Sequence, residues 1–214
     1  MEKLQRNAGT AGIVAAVLLA LGFILFLSTG LDPQTASDPA KALPQIEKLG
    51  SRWAITGIAF VLATGFAALF LAGLFSRLRE KAPTRAAATL YFGLIGLTGH
   101  ALQGMTQWLG GNQLAAYAAQ DKVAASHAWV ALNAASQGLN GLGNAFAGAS
   151  LMIAGWAVIA TGVFPSVLGW VAVVAGVLAV LGIFSPTSAF LFFASIILIV
   201  VWLAWAGNEL RRAR

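Results

Sequence analysis

Residues 133–164 read NAASQGLNGLGNAFAGASLMIAGWAVIATGVF, and this stretch decides how the rest of the chain is interpreted. At helical spacing, one stripe of it collects carboxamides first and glycines afterwards. The carboxamides are Asn133, Gln137, Asn140 and Asn144, and glycines recur every seven residues at 141, 148, 155 and 162. Glycines on one face let a neighbouring backbone approach closely. We therefore predict a helix that is polar toward one end and tightly packed toward the other.

The composition indicates a membrane protein. The chain is 59% hydrophobic and 9% charged, whereas soluble domains carry about 25% charged residues. Apolar runs of about 18 residues or more are typical of membrane spans. Six such runs predict an all-α membrane protein, a six-transmembrane-helix bundle forming a single integral membrane domain over residues 1–214. The predicted spans cover residues 8–29, 53–76, 86–109, 138–164, 166–184 and 187–207, with outer loops at 30–52 and 110–137.

The basic residues predict the topology. Nine of the 13 lysines and arginines lie in three segments: before the first span, between the second and third, and after the sixth. The other four are Lys41, Lys48, Arg52 and Lys122. Because cytoplasmic loops of membrane proteins are enriched in Lys and Arg, both termini are predicted to be cytoplasmic (N-in/C-in). The net charge of +6 is explained by this topology, so we expect the lipid bilayer as a partner and no nucleic acid.

The third span repeats the two-part pattern of the fourth. Its face is small near the cytoplasm and polar toward the outside, and it carries Thr89, Gly93, Gly96, His100, Gln103, Gly104 and Gln107. Antiparallel spans would bring both polar ends to the outer side. One interpretation is structural, with side chains cross-linking the helices at about 0.6 kcal/mol each. The other is an outward-facing polar cleft that binds a small molecule or lipid, and the sequence leaves both open.

His100 is the only ionisable side chain clearly within a predicted span. Ion-coupled transporters place several titratable groups in the bilayer, so its isolation argues against coupled transport. Two interpretations remain: a neutral histidine hydrogen-bonded to the fourth span, or a residue that contacts a ligand or titrates.

The sequence offers no constellation for catalysis, so we expect no enzyme, no cofactor and no metal. The chain has no cysteine, which excludes thiolate sites. Haem between two histidines is disfavoured because His127 should lie well above His100. Ser150, Thr161 and Thr106 lack an adjacent histidine with a third orienting group, so a membrane serine hydrolase is unsupported. The glycines at 138, 141 and 143 resemble a phosphate loop only superficially, and we interpret them as helix packing.

Aromatic and small residues outside this pattern are assigned to interfaces and packing. We expect Trp53, Trp108 and Trp129 in an outer aromatic belt, and Trp170, Trp202 and Trp205 in an inner one. Asp38 and Pro39 predict the capped start of a short interfacial helix that Pro44 interrupts. Gly57, Gly65 and Gly73 recur every eight residues and predict a packing face on the second span.

The polar segment 121–143 runs into a glycine-rich span that ends Gly162-Val163-Phe164-Pro165-Ser166-Val167-Leu168-Gly169, and an alanine- and valine-rich span follows. This layout resembles an uncharacterised family of six-span bacterial membrane proteins, of the domain-of-unknown-function type. The resemblance implies the bacterial cytoplasmic (inner) membrane and six helices. It implies no activity and no functional residues.

We therefore predict a non-enzymatic protein that binds a small molecule or lipid in the cleft, or serves as an accessory or sensor subunit. The ligand-binding residues would be His100, Gln103, Gln107, Asn133, Gln137, Asn140 and Asn144, with Asn133 and Gln137 at the mouth. An uncoupled transporter or facilitator of a neutral solute is one alternative. A purely structural assembly subunit, using the glycine face of the second span, is another. The sequence indicates no oligomeric state.

Overall fold

The computed structural model describes residues 2–31, 33–184 and 189–212. Of these residues 91% are helical and none forms a strand, which confirms the all-α prediction. The predicted start of the sixth span, at 187–188, and the basic residue Arg214 lie outside the described residues. The helices are α1 (Glu2–Leu27), α2 (Pro33–Ser37), α3 (Pro39–Leu49), α4 (Ser51–Leu78), α5 (Pro83–Gly104), α6 (Gly110–Tyr117), α7 (Lys122–Thr161), α8 (Ser166–Phe184) and α9 (Ala189–Arg212), with a π-helical turn at Met105–Leu109 between α5 and α6.

Six long helices form a closed ring. Following the chain, α1 packs on α4, α4 on α5, α5 on α7, α7 on α8 and α8 on α9, and α9 returns to α1. Contacts across the ring are few among the described residues. A ring of helices that touch mainly their neighbours encloses space along its axis, and this arrangement positions the candidate site.

Glycines fix the close helix contacts of the ring. On α7, Gly148 faces Gly176 of α8 and Gly155 faces Gly169, and a Cβ added at any of the four would collide with the partner's backbone oxygen. Gly9 of α1 and Gly207 of α9 are paired in the same way. These pairings run in opposite directions along the chain, so neighbouring helices are antiparallel and both described chain ends lie at one end of the ring.

The glycine predictions are confirmed in part. Gly148 and Gly155 pack as expected, whereas nothing lies within 4 Å of a Cβ built at Gly141. Gly162 ends α7 in a left-handed conformation, with φ of 64°, which favours glycine. On α4, Gly57 contacts Trp108 and Gly73 contacts Ala8, while Gly65 is free of contacts. Two of the three glycines expected on an assembly face are therefore covered by this chain's own helices.

A helical cap covers the other end of the ring. Helices α2, α3 and α6 and the start of α7 pack together there around a core of Leu31, Ala42, Leu43, Ile46, Trp53, Trp108, Ala115, Ala125 and Trp129. Asp38 caps α3 as predicted, accepting the Ala40 N–H at 3.0 Å. Pro44 lies inside α3 instead of interrupting it; the Ala40 carbonyl that it leaves without a donor is at an exposed residue, where water can bind it. The predicted outer loops are thus largely helical.

The cap overturns the prediction of an outer aromatic belt. Trp53, Trp108 and Trp129 are 1%, 5% and 0% exposed, so they form the core of the cap instead of facing headgroups. Trp129 also donates its indole N–H to the Ala36 carbonyl at 3.0 Å. Of the tryptophans expected in the inner belt, Trp170 is exposed, whereas Trp202 is buried against Phe70.

Five helical segments are long and apolar enough to cross a membrane: Lys3–Leu27, Ser51–Leu78, Lys122–Thr161, Ser166–Phe184 and Phe193–Arg212. The remaining helix of the ring, α5, is not among them, because Arg85, His100 and Gln103 lower its hydropathy. Helix α7 has 40 residues and is about 60 Å long at 1.5 Å per residue. It is about twice as long as a bilayer core of about 30 Å is thick, so it is too long to lie wholly within such a core.

Candidate functional site

A cavity of about 310 Å³ lies inside the ring. All six long helices line it, and at the capped end Ala36 of α2 also contributes. Most of its walls are apolar, with Phe26, Phe60 and Trp108 toward the cap and Phe70 and Trp202 toward the opposite end. This volume is at the lower end of the range of about 300–1,000 Å³ that is usual for small-molecule sites.

The structure brings six of the seven predicted site residues to this one cavity. They are His100, Gln103, Gln107, Gln137, Asn140 and Asn144, from α5, the π-helical turn and α7. Asn133 does not line it; its side-chain oxygen is buried elsewhere and has no hydrogen-bond partner among the described residues. The site residues thus converge over about two helical turns of each of two neighbouring helices.

His100 is held where α5 and α7 pack closely. A Cβ at Gly143 would lie 2.7 Å from the imidazole Nδ1, and a Cβ at Gly99 would lie 2.9 Å from the Gly143 nitrogen. Gly143 therefore makes room for the ring, and Gly99 lets the two backbones approach. No described residue hydrogen-bonds to His100, so a bond to the neighbouring span is not formed among the described residues. The Nδ1 edge of its ring packs against Gly143, and the residue lines the cavity. Gly143, a member of the string interpreted as helix packing, does pack, and its partner is His100.

Gln107 joins α5 to α7 through hydrogen bonds. Its Oε1 accepts from Gln103 Nε2 at 2.9 Å and from the hydroxyl of Ser136 at 3.2 Å. Ser136 is fully buried, so Gln107 satisfies a hydroxyl that would otherwise have no partner. The π-helical turn contains both Gln107 and Trp108, and both of these consecutive residues line the cavity. Turns of this kind are frequent at functional sites. Gln107 thus cross-links the helices, as the structural interpretation proposed.

Asn140 and Asn144 behave differently. Both are half-buried, and neither side chain hydrogen-bonds to a described residue. Gln137, one turn before Asn140, is the single exposed residue among the described lining residues. The cavity therefore meets the surface beside Gln137, and the carboxamides inside that opening are free to bind.

The sequence analysis did not predict that the other four helices of the ring also line the site. It placed a cleft between two spans, whereas α1, α4, α8 and α9 form most of the wall. A signal was present in isolated polar residues within apolar spans, because Thr64 and Ser195 line the cavity. Ser150, a third such residue, donates to the Thr89 carbonyl of α5 at 2.7 Å. Among the described residues, no group of three His, Cys, Asp or Glu side chains could hold a metal ion.

A chain whose described residues are 91% helical and include five membrane-length apolar helices is a helical membrane protein. The chain matches the family described as a domain of unknown function (DUF4386) over residues 8–209, nearly its whole length, and therefore belongs to that family. The predicted resemblance to an uncharacterised family is confirmed. No curated protein and no solved structure matches the chain.

Proposed function

We propose that this protein crosses a membrane six times and binds a small uncharged molecule in the axial cavity. The observation that carries the proposal is the convergence of His100, Gln103, Asn140 and Asn144 on one cavity with groups left free to bind. Amides used only as helix cross-links would have partners on the neighbouring helix, as Gln107 has in Ser136. A few polar groups on apolar walls are the usual composition of a small-molecule site.

Helix α5 is the proposed sixth span. Its 22 residues extend about 33 Å, enough for a bilayer core of about 30 Å. It lies between α4 and α7 in the ring, and its polar residues His100 and Gln103 line the cavity. A span can carry polar groups when these face a cavity.

The proposed topology places the uncapped end of the ring in the cytoplasm. Arg77 and Arg211 lie at that end with both described chain ends, as the positive-inside rule requires. We propose the bacterial inner membrane as its location, in line with the resemblance noted from the sequence. There it would act as a sensor or an accessory subunit, with the cap and the opening beside Gln137 on the outer side.

Binding is better supported than passage of a solute. A facilitator needs polar groups that continue to the cytoplasmic end, whereas that end is occupied by Phe70 and Trp202, whose rings pack edge to face at 5.3 Å. The paired Gly9 and Gly207 bring α1 and α9 together there as well. Binding is also better supported than catalysis, because His100 is the single titratable side chain among the described lining residues.

The test is a thermal-unfolding screen of the purified protein in lipid nanodiscs, with uncharged alcohols, amides, esters and sugars. We expect at least one of these compounds to raise the Tm of the wild type, and the shift to be lost in Gln103→Leu and Asn144→Leu. Asn133→Leu is the matched control, since it removes a carboxamide from the same helix outside the cavity, and it should keep the shift. The proposal is wrong if no compound shifts the wild type, or if the shift survives in the Gln103→Leu/Asn144→Leu double variant.

A further inference from the structure

The cavity is amphipathic along its length. Its polar part extends from Gln107 in the π-helical turn to His100 on α5, which is about 10 Å at about 1.5 Å per residue. On α7 the same level extends from Gln137 to Asn144. Below this level, toward the uncapped end, the walls become apolar, with Leu97, Leu151, Ile199, Phe70, Leu71 and Leu203.

The hydroxyl groups in the apolar part do not require a ligand. Thr64 donates to the Val61 carbonyl at 2.7 Å and Ser150 to the Thr89 carbonyl at 2.7 Å. The apolar part continues for about 10 Å below Asn144, the seven residues to Leu151 at 1.5 Å each. It is therefore a hydrocarbon compartment of limited length beneath a hydrogen-bonding one.

The cavity residues that the structure describes carry no formal charge. No Asp, Glu, Lys or Arg lines the cavity, and the sequence has none between Lys122 and Glu209. An ion enclosed by apolar walls without a partner is strongly disfavoured. A carboxylate, phosphate or ammonium head group would therefore not be stabilised here.

The free groups at the polar level match an uncharged head. The carboxamides of Asn140 and Asn144 each offer donors and an acceptor, and a neutral imidazole at His100 offers one of each. A hydroxyl can both donate to and accept from such groups, and a carbonyl can accept from them.

We propose that the ligand is an uncharged single-chain amphiphile, with a hydroxyl or carbonyl head between His100 and Asn144 and its hydrocarbon chain directed toward Trp202. This rests on the proposed function and specifies the ligand class. The opening beside Gln137 lies at the capped end of the polar level, about 10 Å above Asn144 at 1.5 Å per residue. The chain therefore enters first, and the head remains on the side of the opening.

The probe is a dodecan-1-ol that carries a diazirine in mid-chain, photo-activated with the full-length protein in lipid nanodiscs, with the labelled peptides mapped by mass spectrometry. We expect labels near Leu151 and Ile199. Unlabelled dodecanol should compete at least about tenfold better than dodecanoate or dodecane.

The matched variants are Gly182→Phe and Gly65→Phe. A Cβ meets nothing within 4 Å at either position, but Gly182 lines the cavity and Gly65 does not. Gly182→Phe should abolish the competed labelling, and Gly65→Phe should keep it.

The proposal of an uncharged amphiphile would be overturned by equal competition from dodecanoate. It would also be overturned by labels only on exposed residues such as Trp156. If the uncharged solutes still raise the Tm of the wild type in that case, the proposed binding function stands without the amphiphile. If neither labelling nor a Tm shift is seen, both proposals fail.

Discussion

The two halves of α7 both carry glycines but pack differently. In the half toward the uncapped end, Gly148 and Gly155 are pressed against the backbone of α8, and they close the ring. In the capped half, a Cβ added at Gly138 or Gly141 would meet nothing within 4 Å, and Asn144 has no hydrogen-bond partner among the described residues. A glycine therefore gives close packing only where it faces a neighbouring helix, as Gly148 and Gly155 do; Gly141 faces none and leaves space.

The largest expected effect on stability comes from adding one methyl group to the half of α7 toward the uncapped end, which we call the tight half. Gly155→Ala should lower the free energy of unfolding by about 3 kcal/mol, the upper part of the range for overpacking, because the atom it meets is the Gly169 backbone oxygen and cannot move aside. The measurement is chemical unfolding in one detergent. Gly141→Ala is the control and should raise the stability by about 0.5–1 kcal/mol, since alanine is the better helix former. Equal losses in the two variants would mean that the halves do not differ.

The second prediction tests the hydrogen bond between Gln107 and Ser136 at the capped end of the cavity. Gln107→Leu should cost about 1–2 kcal/mol, because the buried Ser136 hydroxyl loses its acceptor. The double variant Gln107→Leu/Ser136→Ala should recover part of this loss, because it removes the unpaired hydroxyl too. A loss that is the same in the single and double variants would show that this hydrogen bond does not stabilise the fold.

A smaller effect is expected where the tight half is bonded to α5. Ser150→Ala removes the hydrogen bond to the Thr89 carbonyl and should cost about 0.6 kcal/mol, the average for bonds between membrane helices. Unfolding measured alongside Ser126→Ala, which loses only a bond within its own helix to the Lys122 carbonyl, should separate the interhelical contribution. A loss of stability in Ser126→Ala as large as that in Ser150→Ala would show that the interhelical bond contributes nothing extra.

The smallest stability effect is expected in the open half. Asn144→Leu should change the free energy of unfolding by no more than about 0.5 kcal/mol, since it breaks no hydrogen bond to a described residue. It should nevertheless abolish ligand-induced stabilisation. A loss of stability as large as that of Gln107→Leu, without any ligand, would make Asn144 a structural cross-link.

Sequence patterns predict the features that depend on neighbouring residues in one helix. The all-helical fold, the capped start of α3 at Asp38 and the shared face of His100, Gln103 and Gln107 follow from periodicity and capping chemistry, which are local. What surrounds that face could not be predicted, because the closure of α9 onto α1 joins the two ends of the chain. For the same reason the sequence alone assigns Trp53 and Trp129 to lipid headgroups, although residues of a different helix, α3, cover them. Helical spacing places Asn133 on the same face as Gln137. It does not show that Gln137 lines the cavity and Asn133 does not.

A density map of the wild-type protein in lipid nanodiscs tests the central claim most directly. The account predicts one elongated, non-protein density inside the ring, with its polar end between His100 and Asn144 and its other end near Trp202. An axial space that is closed by collapsed helices, with Asn140 and Asn144 bonded to neighbouring side chains, would contradict it.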